Sequence, residues 1–320
     1  LTSGSVMVIA KSPDSDTVGF THRYLDVDKL NKSLDEVTKD GAAYAEVRLV
    51  AYTDYSATIR DGKLERAIPG QEIGATIRVL ADGAWGVHST TDIASLEQQM
   101  NPTLKLAQSV AARRSSKDRP ISLAEVPIIE DSLHWKPKKD VRNTELSERL
   151  ELLNLLSDSA SGHDNVVSVT CGWHDEHIHT EFLSSEGMNR TWSFQRSLIN
   201  GMVTARDGGD VVSYRTRFGG EGGLELIESC DINQLGVDAK TAALRLLKAE
   251  RAPSGKMPLI ADRDLTGVYI HEALGHPCEA DLVAAGDSCL DGKLGHKIGS
   301  DIVTVIDLSL IHISEPTRPI

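Results

Sequence analysis

Apolar residues recur at the period of an α-helix in several stretches of the chain. Residues 28–40 predict a helix that Gly41 ends, and residues 92–114 predict a second one, with Asp92 as its cap. Residues 144–161 and 231–250 predict two more. The apolar stripes of the first three helices are Leu30, Leu34 and Val37, then Ile93, Leu96, Met100, Leu104 and Ala107, and finally Leu146, Leu150, Leu153 and Leu156.

Alternation of apolar and polar residues predicts strands between these helices. Residues 43–60 alternate and are rich in β-forming side chains. Asp61-Gly62 and Asp82-Gly83 separate alternating runs, which is a strong short-range signal for a β-hairpin. Residues 165–218 predict several further strands, and the Gly-rich segment 219–223 predicts a flexible turn.

The pattern in the last part of the chain predicts a strand, a helix and a second strand, in that order. Residues 257–262, MPLIAD, form a short apolar run typical of a strand. Asp264 is expected to cap the helix that follows, and residues 300–307 alternate as a strand does.

These elements predict an α+β fold with antiparallel sheets flanked by amphipathic helices in several domains. Shifts in composition at residues 115–120 and 252–256 suggest boundaries. We expect a polar lead-in (1–23), an N-terminal α+β domain (24–116) and a linker (117–143). A middle α+β domain (144–251), the start of a C-terminal domain (252–307) and a tail (308–320) follow. The tail resembles a translated sequencing adapter, so we expect it to be non-native and the natural chain to continue.

Charge and composition narrow the classes of function. The chain has 47 acidic and 34 basic residues, a formal net charge of −13. Without a long Lys/Arg run, this charge argues against binding to nucleic acid or to an anionic membrane. No apolar run approaches the ~18 residues of a membrane span, and no secretory signal pattern is present. The four scattered cysteines fit a reducing cytoplasm better than a disulfide framework.

The stretch with the clearest chemistry is IHEALGHPCEAD, residues 270–281. Its His-Glu pair offers a metal ligand and an adjacent carboxylate that can act as a general base. The second histidine follows the first by five residues, whereas many zinc peptidases place it four residues on. At about 100° per residue, His271 and His276 lie about 140° apart on a regular α-helix. A regular helix therefore cannot direct both imidazoles at one ion.

Two local irregularities can bring these histidines together. A π-type turn places residues five apart on one face. Alternatively, the helix ends at Gly275 and His276 lies in its exit. Gly275 tolerates unusual backbone angles, and Pro277 lacks an N–H and disfavours the α region for His276. We therefore predict a bulged or broken helix at Gly275–Pro277, although the spacing also fits a helix end with two surface histidines.

The motif resembles the His-Glu-x-x-x-His-x-x-Glu-x-Asp signature of the TldD branch of the TldD/PmbA (TldD/TldE) zinc metalloprotease family. The resemblance covers roughly residues 25–307, and its segments follow the family's order. They are GAAYAEVRL, RDGKLERA and GATIRVLADGAWGVHST for the N-terminal domain, LSSEGMNRTW and GGEGG for the middle domain, and APSGKMPLIAD and LDGKLGHKIGSDIVTVID around the motif.

By this resemblance, His271 and His276 are zinc ligands and Glu272 is the general base. The resemblance implies a third ligand, a Cys in a C-terminal β-rich catalytic domain that residues 252–307 only open. Cys278 and Cys289 do not fall at its place. The resemblance also implies zinc as the cofactor and an unfolded or modified peptide as the substrate. It implies a heterodimer with a PmbA-like (TldE-like) subunit. The truncated chain alone is then expected to be inactive.

Glu272 also separates the two classes of function that the sequence leaves open. A non-catalytic subunit that serves assembly or peptide binding is the alternative to a peptidase, but such a subunit has no need of a carboxylate there. Glu279 and Asp281 either orient a histidine ring as outer partners of the metal site or are ordinary helix charges.

Other candidate residues are less specific. His177 and His179 face one side of a strand and offer a metal pair, or they belong with His174 to a polar hairpin that turns near Asp175-Glu176. His296, between glycines, fits a loop. Residues 219–223 lack the Lys-Ser/Thr of a phosphate-binding loop, and no Gly-x-Ser-x-Gly elbow supports serine catalysis.

Overall fold

A computed structural model of the chain describes residues 10–11, 23–114 and 120–306. Within the chain, one compact unit spans Gly4–Arg251 and a second begins at Ala252. Most of the lead-in predicted for residues 1–23 lies outside the described residues. The same holds for residues 115–119 and for the predicted tail at 308–320.

The first unit is an α+β structure, as the sequence predicted, and it is built on one eight-stranded sheet. The strand order is β1-β3-β2-β6-β7-β5, with β4 beside β3 and β8 beside β7; β5 and β7 are parallel, and the other pairs are antiparallel. The strands are β1 (Ala10–Lys11), β2 (Tyr44–Arg60), β3 (Lys63–Ala81), β4 (Ala84–Thr90), β5 (Glu130–His134), β6 (Val166–Ser184), β7 (Asn189–Asp207) and β8 (Asp210–Glu221). The helices are α1 (Val27–Lys39), α2 (Leu96–Ala112), α3 (Leu146–Ala160), α4 (Leu224–Glu228) and α5 (Ile232–Leu247).

Both predicted Asp-Gly hairpins are confirmed. Asp61 and Gly62 have φ of 50° and 73°, and Asp82 and Gly83 have φ of 51° and 73°. A two-residue hairpin turn of type I′ requires this left-handed pair of conformations, which Asp and Gly adopt more readily than most residues. The second turn sets the register of β3 with β4, whereas the register of β2 with β3 shifts by one residue between Thr58 and Ile59.

A long antiparallel pairing joins the two halves of the sheet. It runs from Glu46 opposite Ser184 to Arg60 opposite Thr170, between β2 and β6. The ranges predicted as separate N-terminal and middle α+β domains therefore share one sheet. Local periodicity predicts each strand but carries no information about which distant strand it pairs with.

Two apolar clusters pack on the sheet face that carries the odd-numbered residues of β2 and β6. The first contains Leu34 of α1, Met100 and Leu104 of α2, and Val47 and Leu49 of β2. The second includes Leu153 and Leu156 of α3, Ala239 and Ala243 of α5, Ile59 of β2, and Trp173 of β6. The predicted stripes of α1 and α2 are confirmed as core residues, apart from Ile93, which is only partly buried.

The polar side chains of β6 separate the two apolar clusters. Asp175, His177, His179 and Glu181 are all buried between Trp173 of one cluster and Leu183 of the other. Arg149 of α3 pairs with Asp175 at 2.7 Å, and both side chains are 4% exposed. The stripe predicted for α3 is thus confirmed for Leu153 and Leu156, while Arg149 is buried for this polar contact.

Local predictions are wrong at the following places. Asp175-Glu176 forms no hairpin turn, because β6 runs without interruption from Val166 to Ser184. The segment 219–223 is not wholly a turn, since its first three residues end β8; a Cβ on Gly219 would lie 2.3 Å from the Ser197 carbonyl oxygen, so this strand contact requires glycine. Residues 257–262 form no strand, and Leu259 and Ile260 are 76% and 98% exposed.

The second unit is described up to residue 306 and contains short helical elements there. They are α6 (Arg263–Ile270), a π-helical turn (His271–Gly275), a 3-10 turn (His276–Cys278) and α7 (Ala280–Ala285). The strand predicted for residues 300–307 is absent over the described residues 300–306. Across the described part of the whole chain, no helix combines the length and apolar character needed to cross a bilayer.

Candidate metal centre

The histidine motif begins where helix α6 ends. The α6 cap is Asp262, whose side chain accepts a hydrogen bond from the Leu265 N–H at 2.9 Å, so the predicted cap at Asp264 is wrong by half a turn. The carboxylate at the helix start satisfies one of the N–H groups that lack a partner there. The last turn of α6 leads directly into His271 without a loop.

A π-helical turn over His271–Gly275 brings the two motif histidines together. The His276 N–H donates to the His271 carbonyl, five residues back, instead of the usual four. The two imidazole rings consequently lie 4.5 Å apart between centroids, at an interplanar angle of 67°. Of the two irregularities left open by the sequence, the structure has the π-type turn.

Gly275 ends the π-helical turn, and Pro277 lies in the 3-10 turn that follows it. Gly275 has φ −55° and ψ −60°, an ordinary right-handed helical conformation, so the turn does not use its conformational freedom. A Cβ at this position would lie 3.6 Å from His271 Nδ1, an ordinary contact distance. Pro277 has no N–H and lies in the 3-10 turn, which ends at the extended residue Glu279 before α7.

Three potential metal ligands converge on this turn. One donor atom each from His271, Glu272 and His276 lies within 4.8 Å of the others, and all three side chains are exposed or half-buried. Glu272 Oε2 is 3.6 Å from His276 Nε2. Two imidazoles and a carboxylate are a donor set that suits zinc. It is the one such set of three among the residues the structure describes.

The Glu279 carboxylate forms a hydrogen bond with the Nδ1 nitrogen of the His276 ring. His276 Nδ1 donates to Glu279 Oε1 at 2.8 Å, because an ionised carboxylate can only accept. This hydrogen bond and the charge of Glu279, followed by that of Glu272, raise the pKa of His276 above its ordinary value. The arrangement leaves His276 Nε2 on the side of Glu272.

Asp281 lies in the first turn of α7, where its Oδ1 accepts from the Leu282 N–H at 3.0 Å. Of the two carboxylates considered as outer partners of the site, Glu279 therefore contacts a histidine of the motif. Asp281 instead bonds a backbone group at the start of its own helix.

The histidines of β6 do not form a comparable set in the described residues. His177 and His179 face the same side, as the sequence predicted, and both are buried. His179 Nε2 is 3.2 Å from Glu181 Oε1. His174 points to the opposite face, where its Nδ1 is 3.1 Å from Ser56 Oγ. Burial lowers the pKa of His177 to about 4, with repulsion from Arg142 adding to the effect.

A cavity in the first unit was not predicted from the sequence. It lies beside β5 and β7 and has a volume of about 560 Å³. Its lining combines Leu133, Trp135 and Trp192 with Arg190. Trp135 and Trp192 are far apart in sequence, and only the register of β5 on β7 brings them together. The apolar residues of β5 were a usable but weak signal, because edge strands commonly avoid exposed apolar side chains.

Models of one protein family match three consecutive parts of the chain. PmbA/TldA metallopeptidase domain 1 matches residues 45–111, the central domain matches 139–247, and the C-terminal domain matches 254–317. The chain therefore belongs to the PmbA/TldD metallopeptidase family. Since all three domain types occur in order, this assignment does not depend on the histidine motif alone.

Individual relatives agree with this assignment. A metalloprotease of Methanothermobacter thermautotrophicus is 35% identical over 88% of this chain and 60% of its own length. A zinc metalloprotease TldD homolog of Saccharolobus solfataricus is 25% identical over 87% of this chain and 59% of its own. The crystal structure of TldE from Thermococcus kodakarensis shares the fold, with a TM-score of 0.56 and 16% identity over 83% of this chain and 58% of that one. The chain thus spans about 60% of the length of the curated relatives it matches.

Proposed function

We propose that this chain is part of a TldD-type, zinc-bearing subunit of a peptidase that hydrolyses unfolded or modified peptides. The observation that carries the proposal is the convergence of His271, Glu272 and His276, whose donor atoms lie within 4.8 Å of one another on one π-helical turn. The names of the matched relatives, metalloprotease and zinc metalloprotease, support the same class of reaction.

His271 and His276 are the residues we assign to zinc. Their ring centroids are 4.5 Å apart, and imidazole nitrogens are common zinc ligands. His276 would bind through Nε2, because its Nδ1 already donates to Glu279. When bound, zinc supplies a Lewis acid that makes water acidic enough to attack a peptide carbonyl near neutral pH.

Glu272 is the general base in this proposal. Its carboxylate is 63% exposed, and Oε2 lies 3.6 Å from the His276 nitrogen assigned to the metal. It is therefore open to solvent and adjacent to the ligands. A carboxylate in this position can take a proton from the attacking water and pass it to the leaving amine. Glu279 fixes the tautomer and orientation of His276 in this proposal, whereas Asp281 bonds the Leu282 N–H and is assigned no such role.

Three further parts of the proposal rest on the family. The third zinc ligand is a Cys in the region that the longer relatives have in addition. The partner is a PmbA-type, or TldE-like, subunit that forms a heterodimer with the zinc-bearing one. The complex acts in the cytoplasm, which agrees with four cysteines that are all free thiols here. Peptide hydrolysis therefore belongs to the whole protein with its partner.

Metal analysis of the complete gene product tests this proposal. We expect about one zinc per chain, as catalytic zinc sites hold, and loss of that zinc in His271→Ala and in His276→Ala. His296→Ala is the matched control, because His296 is an exposed histidine of the same unit and should leave the zinc content unchanged. Full peptidase activity in a zinc-free preparation treated with chelator would overturn the proposal.

A further inference from the structure

The cavity beside β5 and β7 has the composition of a site for an apolar side chain. Trp192 of β7 pairs in register with Leu133 of β5, and Trp135 follows β5 directly. Leu133 and Trp135 remain 57% and 43% exposed. Two tryptophans and a leucine line a volume of about 560 Å³, together with His134, Arg190 and Ser193. Such a volume accommodates one large side chain and adjoining backbone.

An arginine extends over the aromatic residues at this site. Arg48 of β2 pairs in register with Phe182 of β6. Its guanidinium carbon lies 5.5 Å from the centroid of the Phe182 ring and 5.9 Å from that of Trp192. These contacts place the charge of the exposed Arg48 side chain near Trp192, which also lines the cavity.

Arg48 has no ion-pair partner among the described residues, whereas three other arginines of the sheet each have one. Arg78 is paired with Glu46 at 2.6 Å, Arg190 with Asp131 at 2.7 Å, and Arg196 with Glu176 at 3.3 Å. No carboxylate in the described part of the chain lies within ion-pair distance of Arg48. The Arg48 guanidinium makes no side-chain hydrogen bond to the described residues, so its N–H donors are available to the two oxygens of a carboxylate.

We propose that this site binds the C-terminal residue of a peptide, with an apolar or aromatic side chain in the cavity and the α-carboxylate on Arg48. The cavity supplies apolar contact and Arg48 supplies the complementary charge. The choice of a peptide terminus among carboxylate ligands rests on the proposed peptidase function. Arg190 is already neutralised by Asp131 and is not needed for the carboxylate.

Calorimetric titration of the chain with acetyl-Gly-Gly-Phe tests this assignment. The free acid is compared with its C-terminal amide, which has the same shape but no charge, and with acetyl-Gly-Gly-Ala. We expect the acid to bind at least about tenfold more tightly than the amide, a typical value for a hydrogen bond to a charged group. We also expect the Ala peptide to bind more weakly than the Phe peptide.

Two variants locate the effect. Arg48→Met keeps an apolar stem over the rings and should abolish the preference for the acid. Arg217→Met, an exposed arginine of β8, is the matched control and should retain it. Equal binding of acid and amide to the unchanged chain, no binding of either, or an unaltered preference in Arg48→Met would each overturn the proposal. Since the titration uses no zinc and no hydrolysis, its failure is distinct from failure of the proposed peptidase.

Discussion

The imidazole rings of His271 and His276 lie 4.5 Å apart between centroids, although the residues are five positions apart in sequence. The His276 N–H bonds to the His271 carbonyl and thereby closes a π-helical turn. The extra residue relative to the usual zinc-peptidase spacing is accommodated by the backbone hydrogen-bond pattern. The spacing is therefore compatible with one metal ion.

Substitutions at Gly275 test this geometry. Gly275→Ala should keep zinc affinity within about threefold, because the backbone angles are ordinary and the new Cβ would sit 3.6 Å from His271 Nδ1. Gly275→Val should weaken zinc binding by about tenfold or more, since its methyl groups extend towards that ring. Competition with a chelating dye measures both affinities. An equally large loss in Gly275→Ala would show that the glycine has a role that the ordinary backbone angles do not explain.

Removing the Glu279 carboxylate should affect His276 in two ways. Because Glu279 raises the pKa of His276, Glu279→Gln should lower that pKa, as followed by NMR titration of the metal-free protein. Glu279→Ala should also weaken zinc binding by about 10- to 100-fold, as loss of a ligand's outer hydrogen bond commonly does. Asp281→Asn is the control, since Asp281 bonds the Leu282 N–H, and it should leave the pKa of His276 in place.

The buried pair of Arg149 and Asp175 should be important for stability. Asp175 accepts from Arg149 and also from the Trp173 indole at 2.6 Å, all in the interior. Asp175→Asn leaves the charge of Arg149 buried without its counter-ion and should lower the free energy of unfolding by about 3 kcal/mol. Asp131→Asn breaks the more exposed pair with Arg190 and should cost less than about 1 kcal/mol. Equal losses in urea denaturation would contradict this ranking.

His177 should make the first unit sensitive to mild acid. Its pKa is lowered to about 4 by burial, while the unfolded chain has an ordinary histidine pKa of about 6.5. As pH falls below 6.5 the unfolded state binds a proton first, so stability contributed by neutral His177 is lost between pH 6.5 and 4. The loss amounts to at most about 3 kcal/mol. His177→Gln should reduce this slope in unfolding experiments, whereas His163→Gln, at an exposed loop histidine, should not.

Local structure was largely predictable from the sequence, whereas long-range structure was not. The apolar stripes of α1 and α2 and both Asp-Gly hairpins depend on neighbours in sequence, and the structure confirms them. The pairing of β2 with β6 depends on residues more than 100 positions apart. The uninterrupted course of β6 through Asp175-Glu176 depends on Arg149, which compensates the buried carboxylate from a different helix.

The candidate metal centre was predictable because its residues lie on one short segment. Helix geometry excludes a regular helix for His271 and His276, and a π-type turn was one of the two remaining solutions. Residues 257–262 show the limit of such reasoning, because an apolar run of that length fits a strand only if a partner strand is available. None of the described residues 252–306 forms one.

Peptide hydrolysis by the Glu272→Gln variant tests the central claim most directly. The complete protein with the proposed partner subunit should still bind zinc, because the two histidines assigned to the metal are unchanged. It should lose at least about a hundredfold in hydrolysis rate, the usual contribution of a general base. Glu151→Gln, at an exposed position of α3, is the matched control and should remain active. Undiminished hydrolysis by a zinc-loaded Glu272→Gln enzyme would contradict the proposed mechanism.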